Sequence, residues 1–395
     1  MNKANDKLAI YGGKKVNRLP FPNWPQFDKN DESIIKDALY TGYWNNDYSS
    51  SYVNLFEKSI SKHLNSHYVI SVSNGTNALE IALEALNISS NNEVIVPAYS
   101  FASTVTSVIR SGATPVFADI DLDSWNISPV SIEKCITPKT KAIIIVHFGG
   151  LPCDMEKIYN ITNKYKLNII EDAAQAYGAI WNKKKVGTLG DIGCFSMQTS
   201  KNLTCGEGGF LTTNSDDYNK RILLIKNIGR KDNLGYEHYL AGSNYRLSEL
   251  QAALAYSQLS KYEYYNNIRK KNVKFLDKQI TTIEGLAARD SLDVPFESSN
   301  SMYGFRFIEK NWNRIDRKRF VYLMNSEGIP CSVGYPKPLY SYRMFQNNKN
   351  YKKDVCLNSE LLCRQSVWLH NNVLIGSTEQ TQNIIKAIKK IRNYY

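Results

Sequence analysis

The chain has 395 residues, 43% of them hydrophobic and 22% charged, a globular composition with enough length for two or three domains or subdomains. Its net charge of +12 comes from 49 Lys and Arg against 37 Asp and Glu, but the basic residues lie in scattered knots such as "GGKKVNR" and "IRKKNVK", so a solvated surface that favours anionic small molecules is expected, with no nucleic-acid groove. The polar start "MNKANDKLAIYGGKKVN", apolar runs far short of the ~20 residues that span a bilayer, and seven cysteines without a CxxC pair argue against a leader, a membrane helix, a disulfide framework or a zinc cluster, and for the cytoplasm.

Residues 1–30 read as an N-terminal arm, followed by a large domain over 31–245 in which β-branched runs alternate with helical patterns. "HYVISVS" (67–73), "NEVIVPA" (92–98), "ATPVFADI" (113–120), "KAIIIVHF" (141–148) and "LNIIEDA" (167–173) are nearly continuous apolar runs. Strands of that kind are buried on both faces of a mostly parallel sheet. Helices are predicted at "TNALEIALEAL", "SFASTVTSVIRSG", "SPVSIEKCI" and "DMEKIYNITNKYK", the last with Ile158, Ile161 and Tyr165 on one face. Such repetition implies a doubly wound α/β domain whose ligand sites lie beyond the carboxyl ends of the strands. Further strands are expected at "DIGCFSM" and "GEGGFLTT". A long connecting helix follows over 246–278, with Leu247, Leu250 and Leu254 in register. A smaller α+β domain, 279–395, closes the chain, with a strand at "MYGFRFI", helices at "DRKRFVYLMNSEG" and "STEQTQNIIKAIKKI", and a solvated loop at "NNKNYKKD".

The residues able to do chemistry gather at predicted strand ends. "SVSNGTNALE" opens a helix, so Asn74, Gly75 and Thr76 offer free N–H groups and a helix dipole to a phosphate; the same residues also make an ordinary turn and cap. "IIEDAAQAYG" ends a strand on Glu171 and Asp172, where a carboxylate is either a helix cap or a buried partner for a cation. "CFSMQTSKNLTCGEGG" sets one lysine, Lys201, among small residues, and its glycines let the backbone fold closely past whatever the lysine touches. A phosphate cradle, a buried carboxylate and a confined lysine together match pyridoxal 5'-phosphate (PLP). Its phosphate needs donors, its ring nitrogen needs an Asp to stay protonated, and its aldehyde needs a lysine for a Schiff base. Lys201 then serves covalently first and afterwards as the base that moves a proton.

"EDAAQAYGA", "GDIGCFSMQTSKNLTCGEGGFLTT" and "NYRLSELQAAL", in this order and spacing, resemble the sugar aminotransferases of the DegT/StrS group. The likeness runs from "LAIYGGKKV" and "PFPNWP" to "VWLHNNVLIGSTEQ". It implies fold type I of the PLP enzymes, an aspartate-aminotransferase-like α/β fold with a large domain built on a mostly parallel mixed sheet. It also implies roles: Lys201 as the Schiff-base lysine, Asp172 as the pyridine-nitrogen partner, Gln175 near the ring oxygen, and Gly75, Thr76 and Ser196 at the phosphate. Phe101 takes the place of the aromatic stacked on the ring, although such a residue alone also reads as core. Asn244 of "NYR", which alone also reads as a helix cap, is implied to reach the phosphate in the neighbouring subunit of a homodimer. Tyr335 matches a substrate-side position, while Gly334 and Tyr340 stand where the family more often has histidines. "FSMQTSKNLT" and "VWLHNNVLIGS" look most like the branch of glutamine:scyllo-inosose aminotransferases and aminohydroxybenzoate synthases. The implied reaction moves an amino group from glutamine or glutamate to a ketoinositol-like ring or keto-sugar. A nucleotide-linked keto-deoxysugar is the alternative acceptor, and a non-catalytic PLP-binding regulator the alternative of another class.

Overall fold

The computed structural model describes residues 7–45, 51–231, 236–289, 295–313, 315–345 and 350–395. Helices α1 (Lys29–Tyr40) and α2 (Tyr52–Leu64) precede β1 (Tyr68–Val72), α3 (Gly75–Ala85), β2 (Glu93–Pro97), α4 (Ser103–Arg110), β3 (Thr114–Ala118), α5 (Pro129–Cys135), β4 (Thr140–Val146), α6 (Met155–Tyr165) and β5 (Asn168–Asp172). A small hairpin, β6 (Ile180–Trp181) and β7 (Lys184–Lys185), leads to β8 (Ile192–Ser196), β9 (Gly209–Thr213), α7 (Asp216–Lys226) and the long α8 (Glu249–Ile280). The remainder holds β10 (Leu286–Ala288), β11 (Phe296–Glu297), β12 (Met302–Phe307), α9 (Arg317–Ser326), β13 (Ser332–Val333), β14 (Lys352–Lys353), α10 (Leu357–Gln365), β15 (Ser366–His370), α11 (Asn371–Leu374) and α12 (Thr378–Tyr394).

The large sheet runs β1-β9-β8-β5-β4-β2-β3-β14. Its pairings from β8 to β14 are parallel, and β9 runs against both of its neighbours. Each central strand is apolar on both faces because side chains alternate across a pleat. Ile143 and Ile145 join one core with α2, α5 and α6, while Ala142 and Ile144 join the other with α3, α4 and α7. Local signals start the helices: Asn74, Ser128, Asp154, Ser215 and Ser248 each accept a backbone N–H of the following first turn. Each such cap contributes about 1 kcal/mol. A smaller antiparallel sheet, β10-β12-β15-β13, packs with α9 and α12 around a third core that includes Phe305, Phe307, Phe320 and Ile388.

Several expectations are revised. Tyr165 is 37% exposed and donates to Glu133, so the buried stripe of α6 is Ile158 and Ile161 without it. Leu247 precedes α8, and Leu250 and Leu254 are only half-buried. The buried face of α8 carries Ala252, Ala255, Gln258, Tyr262, Asn266, Arg269 and Asn272, a small and polar stripe in place of leucines. The stretch 279–395 also sends residues back to the large sheet. Leu339, Tyr340 and Phe345 enter its second core, and β14, from the segment expected as a solvated loop, pairs with β3. Residues 347–349 of that expected loop lie outside the described residues.

Candidate active site

The carboxyl ends of β1, β2, β4, β5 and β8 open onto one cleft of about 1090 Å3. At the end of β5, two adjacent carboxylates point to opposite sides of the sheet and have different surroundings. Glu171 is fully buried and accepts from the backbone N–H groups of Gly187, Leu189 and Gly190 and from His147 Nε2 at 3.0 Å. His147 Nδ1 accepts from the Cys153 N–H at 3.0 Å, which leaves the ring proton on Nε2. Glu171 therefore organises the loop before β8. Asp172 faces the cleft, is 5% exposed, and accepts from Thr104 Oγ1 at 2.8 Å and the Ala174 N–H at 3.3 Å. Burial raises its pKa, against the opposing pull of those donors and of Lys201.

Lys201 stands across from it in a loop gripped from three directions. Trp24 Nε1 donates to the Lys201 carbonyl at 3.0 Å, Asn371 Nδ2 to the Ser200 carbonyl at 2.8 Å, and Asn202 Nδ2 to the Ser299 carbonyl at 2.7 Å. The Lys201 N–H itself closes a turn onto the Gln198 carbonyl at 2.8 Å. These bonds fix the backbone, so a normally mobile side chain starts from a rigid base. Burial lowers the ammonium pKa, with the Asp172 carboxylate working the other way.

At the far end of the cleft, α3 begins. Asn74 accepts the Asn77 N–H at 2.9 Å, and no acceptor among the described residues takes the N–H groups of Gly75 or Thr76. Those donors and the helix dipole form an anion site. The strands close around it: a Cβ on Gly75 would lie 2.7 Å from the Ser196 Cβ, and one on Gly209 would lie 2.5 Å from the Asn74 carbonyl carbon. Thr76 Oγ1 and Ser103 Oγ are hydrogen-bonded at 2.7 Å beside it.

The other expected residues also meet here, with one exception. Phe101 is 58% exposed and lines the cleft, so it is not core. Gln175 Oε1 accepts the Gly149 N–H at 2.7 Å, which makes Nε2 its donating end, beside the Tyr335 hydroxyl. Tyr335 lines the wall edge-on to Trp368 at 4.9 Å, and burial pushes its hydroxyl pKa up. Asn244 is exposed and does not line this cleft. Neither position lacking a family histidine supplies a side chain to the cleft. Gly334 is hemmed in, since a Cβ there would lie 2.1 Å from Ser366 Oγ, and Tyr340 is turned away and donates to Glu360 at 2.9 Å.

Sequence reasoning assigned no role to Asn23, Trp24, Gln198, His370, Asn371 or Asn372, which form the outer wall. "PFPNWP" and "VWLHNN" were the available signal, but nothing local in either stretch points to a cleft. Thr104, the donor to Asp172, sits inside a predicted helix and was equally silent. The arrangement fits PLP: unclaimed N–H donors at a close-packed glycine turn, a buried carboxylate with capacity for a ring N–H, and a confined lysine of lowered pKa. Among the described residues there is no cluster of three or more His, Cys, Asp or Glu that could hold a metal, and no helix long and apolar enough to cross a membrane.

The profile of the DegT/DnrJ/EryC1/StrS aminotransferase family matches residues 25–389. A protein of Streptoalloteichus tenebrarius assigned as L-glutamine:3-amino-2,3-dideoxy-scyllo-inosose aminotransferase is 31% identical, over 98% of each chain. GDP-perosamine synthase of Escherichia coli O157:H7 is 39% identical over 66% of this chain and 71% of its own. The crystal structure of 3-amino-5-hydroxybenzoic acid synthase matches with a TM-score of 0.86 at 29% identity, covering 94% of this chain and 100% of that one. With its lysine and aspartate facing one cleft at the strand ends, this chain is a PLP-dependent enzyme of fold type I and belongs to the DegT/DnrJ/EryC1/StrS aminotransferase family.

Proposed function

We propose that the protein moves an amino group from glutamine or glutamate to the ketone of a ketoinositol-like ring or unlinked keto-sugar, with Lys201 as the cofactor lysine. Bound PLP supplies an aldehyde that takes the amino group and a ring that withdraws electrons. Lys201 attaches the cofactor and, once displaced by an amine, carries a proton at the reacting carbon; its lowered pKa suits a base working near neutrality. Asp172 holds the proton on the ring nitrogen. Gln175 donates through Nε2 toward the ring oxygen, Phe101 covers one ring face, and Gly75, Thr76 and Ser196 take the phosphate. Asn244, exposed and not part of the lining of its own cleft, serves the partner's site in a homodimer of the cytoplasm. Tyr335 meets the substrate.

The observation that carries this reading is the convergence of Lys201 and Asp172 in one cleft. A second observation favours an uncharged ring over a nucleotide-linked sugar. The outer wall presents Asn23, Gln198, Asn371 and Asn372, with Trp24 and Trp368, and among the described lining residues Lys201 is the only Lys or Arg. Amide groups both donate to and accept from adjacent hydroxyls, and aromatic faces cover C–H surfaces. A diphosphate calls for cations that this wall lacks. The test is 2-oxo acid formation from glutamine or glutamate with ketocyclitols, free keto-sugars and nucleotide-linked 4-keto-6-deoxy sugars. Turnover is expected with unlinked rings. Turnover confined to nucleotide-linked sugars transfers the assignment to that class, and bound cofactor without any turnover indicates a regulator.

A further inference from the structure

The buried face of α8 holds one unusual placement. Arg269 is 0% exposed, and its Nε, Nη1 and Nη2 find no hydrogen-bond acceptor among the described residues. Burial lowers its pKa to about 10, and the groups that partly offset this are the hydroxyls of Tyr262 and Tyr265, with no carboxylate among them. The guanidinium lies over the Trp24 ring at 4.6 Å, and Tyr265 meets the same ring edge-on at 5.7 Å. A desolvated cation–π contact returns less than the burial of an ion without acceptors costs. An apolar side chain of equal length would fill the space without that cost, so stability alone does not account for an arginine here.

Geometry supplies the missing reason. Turn by turn, α8 clamps the N-terminal arm: Asn30 Nδ2 donates to Ser257 Oγ at 2.9 Å, Gln258 Nε2 to the Gln26 carbonyl at 2.9 Å, and Lys261 pairs with Asp28 at 2.9 Å and with Asp31. The clamp ends at Trp24, which both lines the cleft and donates Nε1–H to the Lys201 carbonyl. We propose that Arg269 is a positioning residue: its planar stack sets the Trp24 ring, and through the Trp24 N–H it sets the backbone from which Lys201 reaches its cofactor. The inference rests on the reading of Lys201 as the cofactor lysine. A tilt of about 10° at that Cα swings the end of the lysine stem by about 1 Å, and a misplacement of that size can cost about 10²-fold.

The experiment compares wild-type, Arg269→Met, Arg269→Lys, Trp24→Phe and the double variant Arg269→Met with Trp24→Phe. It reads the visible absorbance of the lysine-linked cofactor, the pH at which that absorbance changes, the PLP dissociation constant, and kcat and KM separately. Arg269→Met and Trp24→Phe should shift the absorbance-change pH in the same direction. Both should weaken PLP binding and lower kcat by about tenfold or more, while KM for the donor stays within about twofold. The double variant should be no worse than the worse single one, because the two residues act in series. Arg269→Lys should not rescue, since it restores charge but not the plane. A lowered melting temperature with wild-type absorbance, pH and kcat in Arg269→Met assigns a merely structural role and overturns the proposal, as do losses that add in the double variant. Should Arg269→Met not fold, Trp24→Phe decides alone, and wild-type absorbance, pH and kcat in it overturn the proposal. Failure of the underlying reading looks different: the wild-type protein itself then shows no lysine-linked absorbance.

Discussion

Burial favours the neutral amine of Lys201, while the nearby Asp172 carboxylate favours its ammonium. The balance leaves the pKa lowered, so at neutral pH more of this amine is free than in an ordinary lysine. With Lys201 as the proposed cofactor lysine, attachment needs that free amine, and this gives the pH dependence a sign. The rate of PLP uptake by the cofactor-free protein should rise with pH and level off below the usual lysine value of about 10.4. In Asp172→Asn the anion that stabilised the ammonium is gone, so the levelling point should move to still lower pH. Turnover should fall by about 10²-fold or more, because a neutral partner no longer holds the ring proton. Stopped-flow absorbance across a pH series checks this, and a levelling point that stays put or moves upward in the variant contradicts it. Glu171 shows why neighbours in sequence need not share a role. One residue earlier on the same strand, it faces a loop whose backbone N–H groups it satisfies.

The start of α3 sets two effects against each other. Alanine is favoured over glycine in helices by up to about 1 kcal/mol, so Gly75→Ala by itself would stabilise α3. The new Cβ, however, meets Ser196 at its Cβ, 2.7 Å away, with the Ser196 Cα at 3.1 Å. These atoms sit at the backbone and do not swing aside, and overpacking of this kind costs about 1–3 kcal/mol. The clash wins and spreads the phosphate cradle. Gly75→Ala should fold, melt a few degrees lower, and bind PLP at least about tenfold more weakly by absorbance titration; unchanged affinity refutes the cradle. Legibility from sequence divides along the same lines. The parallel strands were readable because both faces are apolar, as in "KAIIIVHF", and the helix starts because Ser, Asp and Asn cap them. The face of α8 was not, because it grips an arm with polar side chains that carry no hydrophobic period. Nor was β14, two lysines that become a strand through the pairing with β3 and the contact of Lys352 with Glu93.

Across the whole molecule, the cleft joins parts of the chain that lie far apart in sequence: Trp24 from before α1, Lys201 from the loop between β8 and β9, and Asn371 from α11. The residues at strand ends were legible because a parallel α/β sheet puts its chemistry there. The outer wall was not legible, because its members are brought in by tertiary packing and carry no local pattern. That division explains why the reaction class could be read earlier than the acceptor, since the aspartate ends a strand and the lysine lies in the loop that follows another, while the wall proposed to meet the acceptor comes from elsewhere. All of it depends on one covalent attachment. The most direct measurement is borohydride reduction of the PLP-loaded protein followed by peptide mass mapping. The cofactor's mass should appear on the peptide carrying Lys201, with loss of visible absorbance in Lys201→Ala while the fold persists by circular dichroism. A label on a different lysine, or no label on a fully loaded protein, contradicts the account.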